Sequence, residues 1–399
     1  MTSLLNPTWN RGVDVLKRRV CVVITARPSY SRVKTAIRAM RDNPGIDLQI
    51  VVAASALLDR YGNVSNVIED DGFEVAGRVY MVLEGENPTS MAKTTGIGLV
   101  ELATVFDNLR PDVVVTVADR YETLATAVAA SYMNIPLAHI QGGEVTGSID
   151  EKVRHAVTKL SDIHFVATQR SAERVVRMGE DPATVFVTGC PSIDLAMEAL
   201  NHPALPADII RKYGGVGPDL DVSEGYLVVL QHPVTTEHTL ARCHVVETLY
   251  AVRDSGVPAL WFWPNVDAGS DGTSSGIRAF RELEQPANIH FFKNMFPEDF
   301  IRLLYHSRCL IGNSSVGIRE CSYLGVPVVD IGSRQAGRER GQNVQNAPYD
   351  RTAIGRCIAH HLQNGRYLAD PLYGDGRAGQ RIAELIAKVP LRTEKKLAY

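Results

Sequence analysis

Residues 111–143 read PDVVVTVADRYETLATAVAASYMNIPLAHIQGG, and they contain the unit that decides the fold. The apolar run Val113–Val117 predicts a buried strand, Glu122–Met133 an alanine-rich helix, and Leu137–Ile140 a second buried strand. Continuous apolar strands that alternate with helices are typical of a parallel sheet covered by helices on both faces. The stretch therefore predicts a strand–helix–strand unit of an α/β domain.

The same alternation continues on both sides of this unit. The flanking elements are the predicted strands Val20–Thr25, Leu48–Ala53, Ile163–Ala167 and Val185–Val187 and the predicted helices Ser31–Arg41 and Thr89–Leu109. Residues Asn201–Asp221 are rich in proline and glycine, which predicts a linker with a short helix.

The alternation restarts after this linker. The elements predicted there are the strands Tyr226–Leu230, Ala259–Trp263, Ile289–Phe292, Cys309–Ile311 and Val326–Asp330 and the helices Thr236–Ser255, Pro297–Ser307 and Ser315–Tyr323. We therefore expect an α/β protein with two Rossmann-like, doubly wound domains that face a cleft. Residues 1–200 are expected to form the first domain and 201–375 the second, with a helix in 376–399 packing back on the first.

The composition excludes several classes of protein. A chain of 399 residues fits two domains, and 45% hydrophobic with 22% charged residues excludes wholesale disorder. The formal net charge of −3 argues against a nucleic-acid partner, and no apolar run is long enough to span a membrane. The six cysteines are scattered without a C-x-x-C pair, which favours buried reduced thiols in a cytoplasmic protein over disulfides or zinc.

Facing doubly wound sheets bind ligands at the carboxyl ends of their strands, so the segments after strands carry the candidate site residues. Arg27 and Ser31 follow the first strand at a predicted helix start, where phosphate is favoured; a capped helix with a surface arginine is the alternative. Asp119 is either a helix cap or functional. Arg120 has no capping role, because a cation there opposes the helix dipole, and a bound anion would remove the conflict.

The densest segment runs from His139 to His155 and places two glycines and three carboxylates after a strand. The carboxylates are Glu144, Asp150 and Glu151, with Arg154 four residues after Asp150 on the same helix face. Carboxylates clustered in this way suit general acid–base chemistry, although a solvated helix start is also compatible with them. The glycine pair permits close approach of a ligand and favours the functional interpretation.

Polar residues also follow the strands of the second domain. They are His232, Asn265, Asp267, Ser314, Ser315, Glu320 and Arg334. The two serines open a helix and predict a diphosphate site, and Glu320 is placed to accept hydrogen bonds from a diol such as ribose. A structural histidine remains the alternative for His232, and a solvated loop the alternative for Arg334.

Taken together, the pieces ADRYETL, HIQGGEVTGSIDEKVRHAVTKLS, LQHPVTTE, WPNVDAGS, GNSSVGIRE and GSRQAGRERGQNV resemble the hydrolysing UDP-N-acetylglucosamine 2-epimerases. Enzymes of this family start the synthesis of sialic acid and related nonulosonates. The resemblance runs from about Val20 to about Asn343, and the tract GGEVTGSIDE points to the hydrolysing branch of the family.

The resemblance implies a GT-B-like fold, with UDP held mostly by the second domain and no metal or redox cofactor. It implies nucleotide or substrate contacts from Arg27, Ser31, Arg120, His139, His232, Asn265, Asp267, Met295, Ser314, Ser315, Glu320 and Arg334. Asp119 and Asp150 match carboxylates assigned to catalysis, with Glu144, Glu151 and Arg154 as further catalytic candidates. We also expect a homodimer or homotetramer.

The implied reaction turns a UDP-2-acetamido sugar into UDP and the free sugar inverted at C2, through a glycal. Relatives often carry glutamate at the position of Gln141, and glutamine cannot accept a proton, so the base must be sought among the carboxylates above. A second departure is Ala118 in place of glycine before Asp119. A 2,4-diacetamido sugar as substrate, a glycosyltransferase and an inactive UDP-sugar sensor remain the alternatives.

Overall fold

The computed structural model describes residues 17–398, apart from residues 60, 61, 86, 119, 148, 207, 265 and 266. Two separate sheets, both entirely parallel in their strand pairing, organise this part of the chain. The first contains β1 (Arg18–Ile24), β2 (Ile46–Ala53), β3 (Val75–Val79), β4 (Val113–Val117), β5 (Leu137–Ile140), β6 (Ile163–Val166) and β7 (Val185–Val187). The second contains β8 (Leu227–Leu230), β9 (Ala259–Phe262), β10 (Ile289–Phe292), β11 (Cys309–Gly312), β12 (Val328–Ile331) and β13 (Val344–Ala347). The expected pair of Rossmann-like domains is thereby confirmed.

Helices cover both sheets. Those of the first half are α1 (Arg27–Asp42), α2 (Val64–Asp70), α3 (Pro88–Leu109), α4 (Thr123–Tyr132), α5 (Asp150–Leu160), α6 (Gln169–Arg177) and α7 (Pro191–Asn201). Those of the second half are α8 (Ile209–Tyr213), α9 (Ala241–Asp254), α10 (Ser270–Glu284), α11 (Pro297–His306), α12 (Ser315–Ile318), α13 (Glu320–Leu324), α14 (Arg351–Asn364) and α15 (Ala378–Lys388). None of the described helices is long and apolar enough to cross a lipid bilayer.

The strands are apolar throughout because both faces of each sheet are buried. Val20 and Val22 of β1 pack on one face, in a cluster that includes Ile382 of α15. Cys21, between them, points to the opposite face and joins a cluster with Phe106 of α3. This alternation explains why the strands read as continuous hydrophobic runs. It also shows that α15, the last helix, packs against the first sheet.

The order of the strands decides where the two sheets can bind a ligand. The first sheet has the order β3-β2-β1-β4-β5-β6-β7, so its winding reverses between β1 and β4. The second has the order β10-β9-β8-β11-β12-β13 and reverses between β8 and β11. Doubly wound sheets bind ligands at such reversals, beyond the carboxyl ends of the two strands.

Three predicted helices begin or end differently from the expectation. α1 begins at Arg27, because Pro28 is tolerated in a first helical turn, so Ser31 lies one turn inside the helix. The predicted helix Ser315–Tyr323 is divided into α12 and α13 at Arg319, whose φ and ψ of −101° and −72° interrupt it. The predicted helix Thr236–Ser255 starts as a 3-10 turn with Glu237 in a non-helical conformation.

The cysteines largely match the expectation of buried thiols. All six are free; five are buried, and Cys243 on α9 is exposed. Burial raises the pKa of the Cys21 thiol to about 12, which keeps that group protonated at neutral pH.

Candidate active site

A cavity between the two domains lies at the strand reversals of both sheets. It encloses about 890 Å³, counting the part that is open to solvent. Arg27 and Ser31 line it from the first domain. The second domain contributes the predicted residues His232, Met295, Ser314, Ser315, Glu320 and Arg334.

Cations dominate one end of this cavity. His232 is buried, and its pKa lies well below the usual value because of burial and of the charges of four arginines: Arg334, Arg120, Arg27 and Arg32. Burial lowers the pKa of Arg27 to about 10, and no carboxylate of the described residues raises it again. A neutral imidazole among several guanidinium groups is therefore an arrangement that favours an anionic ligand.

Hydroxyl groups lie next to these cations. The Ser315 hydroxyl accepts a hydrogen bond of 3.0 Å from Nη2 of Arg32, which reaches across from α1. The Asn313 side chain bonds both the backbone N–H and the carbonyl of His232 at 2.8 Å, which ties the loop after β8 to the loop after β11. The hydroxyls and the arginines together can surround a phosphate group.

Glu320 offers an acceptor in the same cavity. Its side chain is almost entirely buried, with a relative exposure of 7%, and its Oε2 atom has no hydrogen-bond partner among the described residues. A buried carboxylate oxygen without a partner is costly, so the position suits a ligand that donates hydroxyl groups.

The other end of the cavity is apolar. Met295 is buried there, and the rings of Phe262 and Phe300 pack edge to face at 5.1 Å. Such a surface suits a flat ring.

Arg120 lies beside the cavity and is paired within the protein. Its Nε donates to Glu122 at 2.9 Å, and its Nη1 lies 3.1 Å from Asp267 of the second domain. The expected conflict with the dipole of α4 is therefore relieved by two carboxylates, and α4 itself begins three residues later, at Thr123. Asp267 acts here as a link between the domains.

The predicted carboxylate cluster divides into three environments. Asp150 begins α5 and lies 3.8 Å from Nη2 of the cavity-lining Arg334. Glu151 accepts hydrogen bonds from the Thr146 backbone at 2.6 Å and from His155 at 2.8 Å. Burial would raise its pKa, but these bonds and the charge of Arg154 keep the pKa of Glu151 below its usual value.

Glu144 lies apart from the cavity. Its carboxylate is buried between two arginines of the second domain, at 3.4 Å from Arg319 and 3.0 Å from Arg338. Arg154 is also buried and donates to the Glu144 carbonyl at 2.9 Å. Glu144 is therefore buried and paired, unlike the solvated carboxylate at a helix start that was the alternative interpretation of the sequence.

His139 and Gln141 are buried and do not line the cavity. The His139 ring contacts the Ala118 carbonyl at 2.8 Å and the Thr158 hydroxyl at 3.2 Å, so it supports the chain after β4 from inside the protein. Gln141 has a positive φ of 71°, and its amide donates to the Cys190 sulfur at 2.7 Å. Asp119 and Asn265, also predicted site residues, lie outside the described residues.

Three arginines that the structure places at or near the site were not among the predicted site residues. Arg32 lines the cavity, and Arg319 and Arg338 contact Glu144. Arg32 lies in the second turn of α1, four residues after Pro28, and both line the cavity on the same helix face. The roles of the other two depend on contacts between domains, which local patterns do not reveal.

Comparison with known proteins agrees with this architecture. The family described as UDP-N-acetylglucosamine 2-epimerase matches residues 38–387. The hydrolyzing UDP-N,N'-diacetylbacillosamine 2-epimerase of Legionella pneumophila is 32% identical over 94% of this chain and 97% of its own length. The UDP-N-acetylglucosamine 2-epimerase of Neisseria meningitidis serogroup B is 29% identical over 93% of this chain and 95% of its own.

Solved structures share the fold. The Neisseria meningitidis UDP-GlcNAc 2-epimerase bound to UDP-GlcNAc superposes with a TM-score of 0.77 at 18% identity, over 92% of this chain and 99% of that one. The Methanocaldococcus jannaschii enzyme in complex with UDP-GlcNAc and UDP gives the same TM-score at 17% identity and the same coverage of both chains. The two facing Rossmann-like domains thus have the GT-B-like arrangement. From the family match and the length of the shared sequence, the chain belongs to the UDP-N-acetylglucosamine 2-epimerase family.

Proposed function

We propose that this protein is a hydrolysing 2-epimerase that converts a UDP-2-acetamido sugar, UDP-N-acetylglucosamine, to UDP and the free C2-inverted sugar, N-acetylmannosamine. The observation that carries the proposal is the cavity itself. It combines a cationic end around Arg27 and Arg334 with the partnerless buried oxygen of Glu320, and Asp150 adjoins its cationic end. Family membership and the names of the relatives support the same reaction class.

In this proposal the nucleotide spans the cavity. The diphosphate lies among Arg27, Arg32 and Arg334, with the hydroxyls of Ser314 and Ser315 as further donors. The ribose diol donates to Glu320, and the uracil ring packs at the apolar end near Met295. This order places the sugar at the cationic end, toward α5, which begins at Asp150.

The first chemical step is an elimination. A base removes the proton at C2 while the C1–O bond to the diphosphate breaks, so that UDP leaves and a glycal forms. The arginines stabilise the negative charge that develops on the leaving diphosphate. His232 is neutral, so it can donate a hydrogen bond to the leaving diphosphate without placing a further positive charge near the base.

The second step is a hydration. An acid delivers a proton to C2 from the opposite face, which inverts that carbon, while a water molecule adds its hydroxyl at C1 and releases its other proton to the solvent. The acid and the base then recover their starting protonation states by exchange with solvent. Asp119 and Asp150 are the proposed acid–base pair, and Glu151 and Arg154 hold α5 in place beside Asp150. Gln141 cannot take this role, because an amide accepts no proton at neutral pH.

The 2,4-diacetamido-2,4,6-trideoxy sugar nucleotide is the alternative substrate. It is favoured by the name of the Legionella pneumophila relative, which is 32% identical. The two sugars differ at C4 and C6, away from the reacting carbons, so the same steps apply to both. A GT-B glycosyltransferase is a further alternative, distinguished by its need for an acceptor.

The test is product analysis in deuterated water with each UDP-sugar supplied alone. We expect UDP and a free sugar that carries deuterium at C2, observed by NMR, without any acceptor. Release of UDP only when an acceptor is added would indicate a transferase. A free sugar without deuterium at C2 would rule out the elimination and hydration steps.

A further inference from the structure

The loop after β5 touches the loop after β12 across the boundary between the domains. We call residues 142–147 the carboxylate loop and residues 332–340 the arginine loop; Asp150 follows the first of these at the start of α5. The Gly147 backbone N–H donates to the Arg334 carbonyl at 3.1 Å, and Nε of Arg338 donates to the Val145 carbonyl at 3.3 Å. A Cβ atom on Gly147 would lie 1.9 Å from the Ser333 carbonyl oxygen, so the approach requires glycine. The position of the carboxylate loop therefore depends on the second domain.

A buried ion cluster fastens this contact. Glu144 of the carboxylate loop lies between Arg319 and Arg338, and the three residues are 3%, 2% and 5% exposed. None of the three lines the cavity. Removing one member of such a cluster leaves uncompensated charge in the interior, so the cluster resists separation of the two loops.

Arg319 connects the cluster to the cavity wall. It immediately precedes Glu320, and its backbone N–H donates to the Ser315 carbonyl at 3.1 Å. Ser315 and Glu320 both line the cavity, while the Arg319 side chain extends to Glu144. Within the first domain, Glu144 is bonded through its carbonyl to Arg154, which also pairs with Glu151 at 3.1 Å.

We propose that Glu144 is a positioning residue: through Arg319 and Arg338, it sets the carboxylate loop, and with it Asp150, in register with a ligand seated at Ser315 and Glu320. The inference rests on the proposed function and deepens it. It assigns Glu144 a role different from the acid–base role that the sequence predicted.

A double-mutant cycle separates the two roles. If Glu144 positions the loop, Glu144→Gln and Arg338→Met each lower kcat on the order of 10²-fold, the scale of a misplaced catalytic group. The kcat of the double variant should then be no lower than that of the less active single variant, because both substitutions break the same contact. If Glu144 is itself the acid or base, Glu144→Gln loses far more than Arg338→Met and the two losses multiply, which overturns the inference.

The pH profile of kcat separates a positioning role of Glu144 from a catalytic role. In Glu144→Gln we expect both limbs of the profile to remain, since the acid and the base are still present. Loss of one limb would make Glu144 a catalytic residue and contradict the inference.

Glu180→Gln is the matched control. Glu180 is 2% exposed and is paired with Lys395 and with Lys159, which lies at the opposite end of α5 from Asp150. We expect this variant to lose stability as Glu144→Gln does, with kcat within about twofold of the wild type. An equal fall of kcat in both variants would mean that Glu144→Gln acts by general destabilisation, which would contradict the positioning role.

A measurement without turnover separates this inference from the proposed function. Hydrogen exchange of the peptide that covers residues 142–150 is followed with and without UDP. We expect UDP to protect this peptide in the wild type and in Glu180→Gln, but not in Glu144→Gln or Arg338→Met. Equal protection in all four proteins would overturn the positioning role even if the wild type releases UDP. Absence of UDP release with the expected protection pattern would instead reject only the proposed reaction.

Discussion

Replacing Glu320 with glutamine tests the proposed ribose contact most directly. Glu320 is 7% exposed and its Oε2 atom has no partner among the described residues, so a bound diol would be a principal partner of that oxygen. The amide keeps one acceptor oxygen but loses the negative charge. We therefore expect UDP binding to weaken by about 1–3 kcal/mol, the scale of a lost charged hydrogen bond at a buried site. That corresponds to roughly a 5- to 150-fold increase in Kd.

Titration calorimetry with two ligands makes this measurement specific. The wild type should bind UDP more tightly than 2'-deoxy-UDP, because the deoxy nucleotide lacks one of the hydroxyls that donate to Glu320. In Glu320→Gln that preference should shrink, while affinity for the deoxy nucleotide changes little. An unchanged preference, or equal UDP affinity in both proteins, would remove Glu320 from the ribose site and refute the reasoning.

Four further predictions concern catalysis, stability and cofactors. Asp150→Asn should cut turnover by roughly 10²–10⁴-fold with little change in UDP affinity by calorimetry, because the carboxylate acts on the sugar; a matching loss of UDP affinity would contradict this. Gln141→Glu should leave the turnover rate unchanged or lower it, because Gln141 is buried and its amide donates to Cys190, away from the cavity lining; a higher rate would make position 141 part of the acid–base machinery. Glu180 has a pKa lowered to about 2, because its bonds to His164, Lys159 and Lys395 outweigh burial. The stability it contributes is present above its ordinary pKa of 4.5 and is lost as the pH falls toward 2, so acid unfolding curves of Glu180→Gln should be flatter across that window. UDP should bind equally well with and without a chelator, and strict dependence on a divalent cation would oppose the proposed site.

Local patterns predicted the sheets well where the strands are uniformly apolar. The bounds of β4, β5, β7 and β10 match the prediction residue for residue. β3, which reads VAGRV, was not predicted, because a glycine and an arginine interrupt its apolar pattern. β13, which reads VQNA, was missed for the same reason, since polar residues occupy an edge strand.

Long-range contacts account for what the sequence could not predict at the site. The rule that ligands bind after strands pointed to Arg27, His232, Ser315 and Glu320, and these four residues line one cavity. The same rule grouped Glu144 with Asp150, although Glu144 is paired with arginines nearly two hundred residues away. Spacing along the chain identifies residues on one helix face, but it does not show which side chain of another domain meets them.

The single exposed thiol has a practical consequence for observing the two domains. Because Cys243 on α9 is exposed while the other five cysteines are buried, a maleimide dye should attach at one defined point on the second domain. A second cysteine introduced on an exposed face of the first domain would complete a donor–acceptor pair for single-molecule fluorescence. No native cysteine would need to be removed, so the distance between the two domains can be followed over time, with and without UDP, in an otherwise unaltered protein.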